Sequence, residues 1–368
     1  FLIETAQDLL MVKCTINACC DALEEAGKTT DDIPIMVQVT IEQMGTMLVG
    51  SEISAAAVAL DGYPIMSLGM NCATGPTEMA EHLQWLSEHW PSRLSVLPNA
   101  GLPTLVDGQT VYPLEPEPFA EKMSEYIDKY GLNIVGGCCG TGPEHLKALI
   151  DKVGEREPKK VEDRLTEGMP KGVTSLYNYV EYRQENSLLN IGERTNASGS
   201  RKFKRLVEEE DYDEMVSLAR EQVREGSHVI DVNVDYAGRD NAQDMYEVVR
   251  RFVRQVNVPF MLDSTSPQVI EAGLKACGGK CLINSANLEE GEEKFAEMVR
   301  LAKRYNAGLV FGTIDEDPEE AMGRTADRKE EIADREYKLA TEKYGLKDED
   351  IMFDPLVLPI STGMEKDK

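Results

Sequence analysis

Two stretches of this 368-residue chain pass from an apolar run into cysteine, glycine and proline: Ser67-Leu-Gly-Met-Asn-Cys72-Ala-Thr-Gly-Pro76 and Ile134-Val-Gly-Gly-Cys138-Cys139-Gly-Thr-Gly-Pro143. Each reads as a strand running into a glycine-rich turn that opens a helix, and Pro143 and Glu144 suit a first helical turn. Adjacent cysteines on a regular strand point to opposite faces. Flanked by Gly136, Gly137 and Gly140, the backbone is free to turn so that the sulfurs of Cys138 and Cys139 face one point. Cys72 brings a third sulfur to the same rim, where parallel barrels place their active sites. Three thiolates and one open position describe a zinc site that takes an exogenous ligand. Spacing alone leaves that reading level with ordinary thiol packing. The chain carries its own comparison: Cys19 and Cys20 are also adjacent, but inside a helical stretch without glycine, and read as packing residues. Cys277 and Cys281 bracket Gly278 and Gly279 with no further ligands nearby, and read as structural.

The second half ends its apolar runs differently, in acids and amides. The runs are Asn190-Ile-Gly-Glu193-Arg-Thr-Asn196, Asp231-Val-Asn233-Val-Asp235, Leu262-Asp263-Ser-Thr, Ile283-Asn284-Ser-Ala and Phe353-Asp354-Pro-Leu. Asp and Asn commonly cap the helix after a strand, and Asp235 and Ser264 are read that way. Five such strand ends in register instead converge on one barrel rim. Carboxylates and amides without a His or Cys base suit a neutral heterocycle such as a pterin, whose 2-amino-4-oxo edge offers adjacent N–H donors to one carboxylate. The basic run Arg201-Lys-Phe-Lys-Arg205 reads first as a solvated helix face, with the anionic glutamate tail of a folate as the alternative ligand.

The elements that must position these residues alternate between short Val/Ile/Leu runs and longer stretches of helical period, the mark of βα units and a parallel sheet. Strands are expected at Phe1–Thr5, Ile35–Thr40, Ile65–Asn71, Leu94–Pro98 and Asn133–Gly137, then at Leu188–Glu193, Val229–Val234, Phe260–Asp263, Cys281–Ser285, Leu309–Gly312 and Ile351–Leu356. Helices are expected at Ala6–Ala26, Pro118–Tyr130, Tyr212–Glu225 and Glu292–Tyr305. The charged stretch Asp151–Lys171, with Pro158, Gly168 and Pro170, reads as part of a linker. The expected organisation is residues 1–152 as a first barrel, 153–186 as linker and 187–368 as a second barrel: an α/β chain of two (β/α)8 TIM-type barrels in tandem. A barrel takes roughly 250 residues, so both are expected to be incomplete. The first would lack its opening strands, and the second, which stops at Ser361–Lys368, its last two.

Composition narrows the partners. With 66 acidic and 39 basic side chains and a formal charge of -27, the chain repels nucleic acid and anionic membrane. No run approaches the roughly 18 apolar residues of a spanning helix. Eight cysteines without an export signal point to reduced thiols and a cytoplasmic protein.

Gly-Gly-Cys-Cys-Gly preceded by Gly-Met-Asn-Cys resembles the zinc motif of the homocysteine S-methyltransferase family over roughly residues 1 to 150. That resemblance implies Cys72, Cys138 and Cys139 as zinc ligands, with the homocysteine sulfur filling the open position. It also implies that Glu4, in Leu-Ile-Glu-Thr, holds the substrate's amino group. Coordination would remove the thiol's proton and fix the sulfur for attack. The second half resembles the pterin-binding family that includes dihydropteroate synthase and the folate domains of corrinoid methyltransferases. Asn-Ile-Gly-Glu-Arg-Thr-Asn, Leu-Asp-Ser-Thr and Ile-Asn-Ser-Ala look like its methionine synthase branch. Carried over by motif, Glu193, Asn196, Asn233, Asp263, Asn284 and Asp354 would bind methyltetrahydrofolate, and a further asparagine near the pterin N5 would lie past the end of this chain. The order of the two halves resembles the front of a cobalamin-dependent methionine synthase. It implies methyl transfer from 5-methyltetrahydrofolate through methylcobalamin to homocysteine, yielding methionine and tetrahydrofolate. No Asp-x-His-x-x-Gly motif occurs here, so the cobalamin-binding domain is expected on a missing C-terminal part or on another chain. A homocysteine methyltransferase served by a separate corrinoid protein, and a non-catalytic fragment that holds zinc or folate, are the alternatives.

Overall fold

A computed structural model describes residues 1–319 and 321–357; the tail Ser361–Lys368 lies outside them. The chain divides into two units, Phe1–Pro170 and Lys171–Lys368.

The first unit alternates strand and helix: β1 (Leu2–Ala6), α1 (Leu9–Glu25), β2 (Met36–Val39), α2 (Ile53–Leu60), β3 (Ser67–Asn71), α3 (Ala80–His89) and β4 (Arg93–Leu97). A hairpin of β5 (Thr104–Val106) and β6 (Gln109–Val111) follows, then α4 (Pro116–Tyr130), β7 (Ile134–Val135) and α5 (Pro143–Val153). The main sheet runs β1-β2-β3-β4-β7, with every pairing parallel. Its central strands are covered: three of the four residues of β2 and all five of β3 are buried, whereas the edge strand β1 is largely exposed. Local chemistry sets the helix ends. Asp8 caps α1 by accepting the Met11 N–H at 3.0 Å, and Gly131 ends α4 in the left-handed region. At Gly69 a Cβ would fall 1.8 Å from the Ser95 backbone oxygen, so only glycine permits this approach of β3 to β4.

Two features depart from the expected pattern. Only Ile134–Val135 of the expected strand Asn133–Gly137 pairs as a strand, because the glycines after it turn the chain away. The β5–β6 hairpin was not expected, although its turn at Asp107-Gly108, with φ of 51° and 77°, carries the strongest short hairpin signal a sequence has.

The stretch read as linker is packed. Residues 161–163 form a single 3-10 turn, after which Arg164, 3% exposed, donates to the backbone oxygens of Leu86, Ser87, Trp90 and Ser92. The N–H groups of Thr166, Glu167 and Gly168 all point to the Glu88 oxygen, at 3.2, 3.1 and 3.3 Å. Residues 164–168 thus tie down the C-terminal end of α3.

The second unit opens with an antiparallel hairpin, β8 (Gly172–Thr174) and β9 (Tyr179–Glu181), which also falls within the expected linker. Then come β10 (Ile191–Gly192), α6 (Arg201–Glu209), α7 (Tyr212–Arg224), β11 (Val229–Val232), α8 (Asn241–Phe252), β12 (Phe260–Asp263) and α9 (Pro267–Ala276). The remainder is β13 (Leu282–Ala286), α10 (Glu292–Tyr305), β14 (Gly308–Gly312), α11 (Ala326–Lys338) and β15 (Ile351–Asp354). The six strands β10 to β15 pair in sequence order, all parallel, in a curled half-barrel sheet. The hairpin packs at the strands' N-terminal ends: Val173 clusters with Val229, Met261 and Leu282, and Lys280 N–H donates to Thr174 Oγ1 at 2.8 Å. Beside it Lys280 and Asp350, each 5% exposed at the side chain, form an ion pair at 2.5 Å. Cys277 and Cys281 sit in the apolar core, as their spacing suggested. No helix among the described residues is long and apolar enough to cross a membrane.

Glu336 on α11 is fully buried, and neither of its carboxyl oxygens has a hydrogen-bond partner among the described residues. Burial, then the nearby Asp315, push its carboxyl up to about 9, so it is neutral at pH 7. A raised folded-state value stabilises fully below the unfolded value of about 4.3 and loses that contribution as pH rises through the folded one. We therefore expect Glu336→Gln to gain in stability over the parent as pH rises from about 5 to about 9, read from urea unfolding at several pH values. A constant difference would show that Glu336 does not titrate with folding.

Candidate metal centre and carboxylate pocket

At the end of β3 the backbone takes the left-handed conformation at two non-glycine residues, Cys72 (φ 63°) and Ala73 (φ 58°). Such positions cost of order 1 kcal/mol each and mark places where surrounding contacts dictate the chain path. Those contacts come from the neighbouring strand: Cys72 N–H donates to the Leu97 oxygen at 3.1 Å and Cys138 N–H to the Pro98 oxygen at 2.8 Å. Asn99 completes the brace, its Oδ1 accepting the Cys139 N–H at 3.0 Å.

The three sulfurs of Cys72, Cys138 and Cys139 lie within 4.8 Å of one another, a group able to hold a metal ion. Cys72 and Cys139 are 3.7 Å apart. Burial first, then a hydrogen bond from Cys72, push the Cys138 thiol up to about 12. Three thiols this close cannot all ionise without a compensating cation. Asn71, fully buried, links the group to β1: its amide donates to Thr5 Oγ1 at 2.8 Å, to Glu4 Oε2 at 3.4 Å and towards Cys138 Sγ at 3.9 Å. Glu4 and Cys138 thus share the Asn71 amide. Tyr112 stands over Gly140, where a Cβ would meet its side chain at 2.3 Å, and a hydrogen bond with Cys139 raises its hydroxyl above the ordinary value.

In the second unit Asn196 is the hub. Its Nδ2 donates to Asp231 Oδ2 and to Asp263 Oδ2, both at 2.7 Å, and its Oδ1 accepts the N–H groups of Ser198 and Gly199 at 2.9 and 3.1 Å. Asn233, 5% exposed, accepts the Asp235 N–H at 3.0 Å, and its side chain hydrogen-bonds Asp263. Burial raises Asp263, with Asn196 and Asn233 pulling it back. Glu193 is near enough to raise both Asp231 and Asp263. Asn284 lies opposite Asp263 in the β12–β13 register. Asp354 ends β15, opposite Gly312, and accepts the Leu356 N–H at 2.8 Å; among the described residues no hydrogen bond joins it to the Asn196 network.

Both units match known families in chain order. Residues 1–153 match homocysteine S-methyltransferase and residues 192–368 match pterin binding enzyme. Over its whole length the chain is 42% identical to the methionine synthase of Mycobacterium tuberculosis and 40% identical to that of Mycobacterium leprae. From end to end the chain is similar to these methionine synthases. It spans 30% of the length of each of these relatives.

The sulfur group lies in the segment matching homocysteine S-methyltransferase and the Asn196 network in the segment matching pterin binding enzyme. Four residues of the two sites were missed from sequence. Asn71 directly precedes Cys72, and Asp231 sits two residues before Asn233, hence on the same face of its strand; both signals were present. Asn99 and Tyr112 carry none, because only the fold brings them to the sulfurs. Two capping readings are corrected. Asp235 accepts the Ser264 hydroxyl at 2.8 Å, and Ser264 accepts the Ser266 N–H at 3.1 Å. The caps of α8 and α9 are Asp240 and Ser266. The basic run 201–205 lies on α6, where Lys202 pairs with Glu214 at 2.7 Å and Lys204 lies over Tyr236.

Proposed function

We propose that this chain carries the homocysteine and folate sites of a methionine synthase, which transfers the methyl group of 5-methyltetrahydrofolate to homocysteine with cobalamin as carrier. Residues 1–152 and 187–368 would each contribute to a (β/α)8 barrel, with 153–186 between them. The products would be methionine and tetrahydrofolate, and the cobalamin-binding domain would come from outside these residues. Reduced thiols suit a cytoplasmic setting.

The observation that carries this reading is the trio of sulfurs. A tetrahedral zinc with Zn–S bonds of about 2.3 Å spaces its sulfurs about 3.8 Å apart, close to the 3.7 Å between Cys72 and Cys139. Cys72, Cys138 and Cys139 would hold the zinc, leaving one position for substrate. Bound there, zinc supplies the charge that lets a thiol lose its proton at neutral pH. Glu4, steadied by the Asn71 amide, would accept the substrate's ammonium group, and Asn71 itself would orient Cys138. In the second unit the carboxylate of Asp263 would accept paired N–H donors of the pterin edge. Glu193, Asn233, Asn284 and Asp354 would line the same pocket, while Asn196, with both amide hydrogens already committed, would hold the acids in place.

The test is zinc content per chain together with equilibrium binding of 5-methyltetrahydrofolate to the purified protein. One zinc per chain and saturable folate binding are expected. A folded protein that binds neither would refute the assignment.

A further inference from the structure

Asp231 is the most deeply buried acid of the Asn196 network, below the partly buried Asp263 and the exposed Glu193. It is 1% exposed, lies on fully buried β11, and receives one amide hydrogen of Asn196 at 2.7 Å while Asp263 receives the other at the same distance. Its second oxygen, Oδ1, is buried with no hydrogen-bond partner among the described residues. Two carboxylates joined through one amide, with Glu193 also facing them, cannot comfortably carry two charges. The pair should share one proton, and the deeper acid should hold it.

We propose that Asp231 is a positioning residue which, as a neutral carboxylic acid, fixes the Asn196 amide and leaves Asp263 as the ionised acceptor of the pterin N–H edge. The proposal rests on the folate reading above. Three observations favour Asp231 over Asp263 as the proton holder. Asp231 is the more buried, whereas Asp263 is only partly buried at the strand end. Asp263 has two amide donors, Asn196 and Asn233, to stabilise its charge; Asp231 has one. Burial, followed by the charge of Asp263, pushes Asp231 up to about 7. The charged groups facing the pair are Glu193 on Asp231, and Glu193 and Asp235 on Asp263. All are acids, so none favours ionising Asp231. When Asp231 does ionise, it competes with Asp263 for Asn196 and raises the proton affinity of Asp263.

The experiment is equilibrium binding of 5-methyltetrahydrofolate from about pH 6 to about pH 8 by the full chain and two variants, Asp231→Asn and Asp231→Leu. The parent should lose affinity as pH rises through about 7. Asp231→Asn, which imitates the neutral acid, should bind within about 3-fold of the parent at low pH and lose the pH-dependent step. Asp231→Leu removes the acceptor of a charge-network hydrogen bond and should bind about 10-fold or more weakly at every pH. A parent that does not bind the folate at all refutes the folate reading and the proposal with it. A parent that binds, alongside an Asp231→Asn variant that loses affinity or keeps the parent's pH profile, overturns the proposal alone. So does an Asp231→Leu variant that binds like the parent.

Discussion

Replacing Cys138 with serine is expected to remove the metal. A serine hydroxyl does not ionise near neutral pH, and two thiolates hold zinc far less firmly than three. Zinc content should fall from one per chain to a small fraction after dialysis against a weak chelator, and Cys72→Ser and Cys139→Ser should behave alike. Cys14→Ser, at an exposed helix position, should leave zinc content unchanged. Asn71→Ala offers a graded outcome. It removes the amide that reaches towards Cys138 Sγ and holds Glu4, and loss of such an outer partner lowers metal affinity by about 10- to 100-fold. Retention of full zinc content by Cys138→Ser would sink the metal assignment, and unchanged affinity in Asn71→Ala would remove Asn71 from the site.

The reach of this prediction depends on what could be read before the fold was known. Cys72, Cys138 and Cys139 were legible because glycine and proline beside them have few other uses at a strand end. The parallel sheets were legible because strands covered by helices must be apolar along their whole length. Asp231 and Asn71 were overlooked for one reason: each sits beside a residue with a louder chemical signal, and its own role appears only when the amide it meets is identified. Asn99 and Tyr112 were out of reach, since they come to the sulfurs from the segments that follow β4. Asn196 was legible as a pocket residue, but its place at the centre of a network was not. Sequence says that an amide is present; only the four hydrogen bonds it makes say that it has no donor left for a ligand.

The misread linker leads to the second prediction. Charge, proline and glycine in residues 151–171 suggested a solvated tether, yet Arg164 reaches into the first unit and donates to four backbone oxygens at the end of α3. A helix C-terminus leaves its last carbonyls short of intrahelical partners, and although the Leu86 oxygen also accepts the Trp90 N–H at 2.9 Å, a cation there meets the negative end of the helix dipole. Burial lowers the guanidinium only to about 10, so it stays charged at pH 7. Arg164→Met keeps much of the stem's packing but takes the buried donor from the Ser87, Trp90 and Ser92 oxygens, at a cost of about 3 to 5 kcal/mol. Against a domain stability of roughly 5 to 15 kcal/mol, that is a large fraction. Both tryptophans of the chain, Trp85 and Trp90, lie on or beside α3, so selectively excited tryptophan fluorescence during urea unfolding follows the first unit. The midpoint should fall sharply in Arg164→Met and less in Arg164→Lys, whose ammonium cannot span four acceptors. An unchanged midpoint in both would mean that residues 164–168 are the loose tether their composition suggested, and that α3 ends without their help.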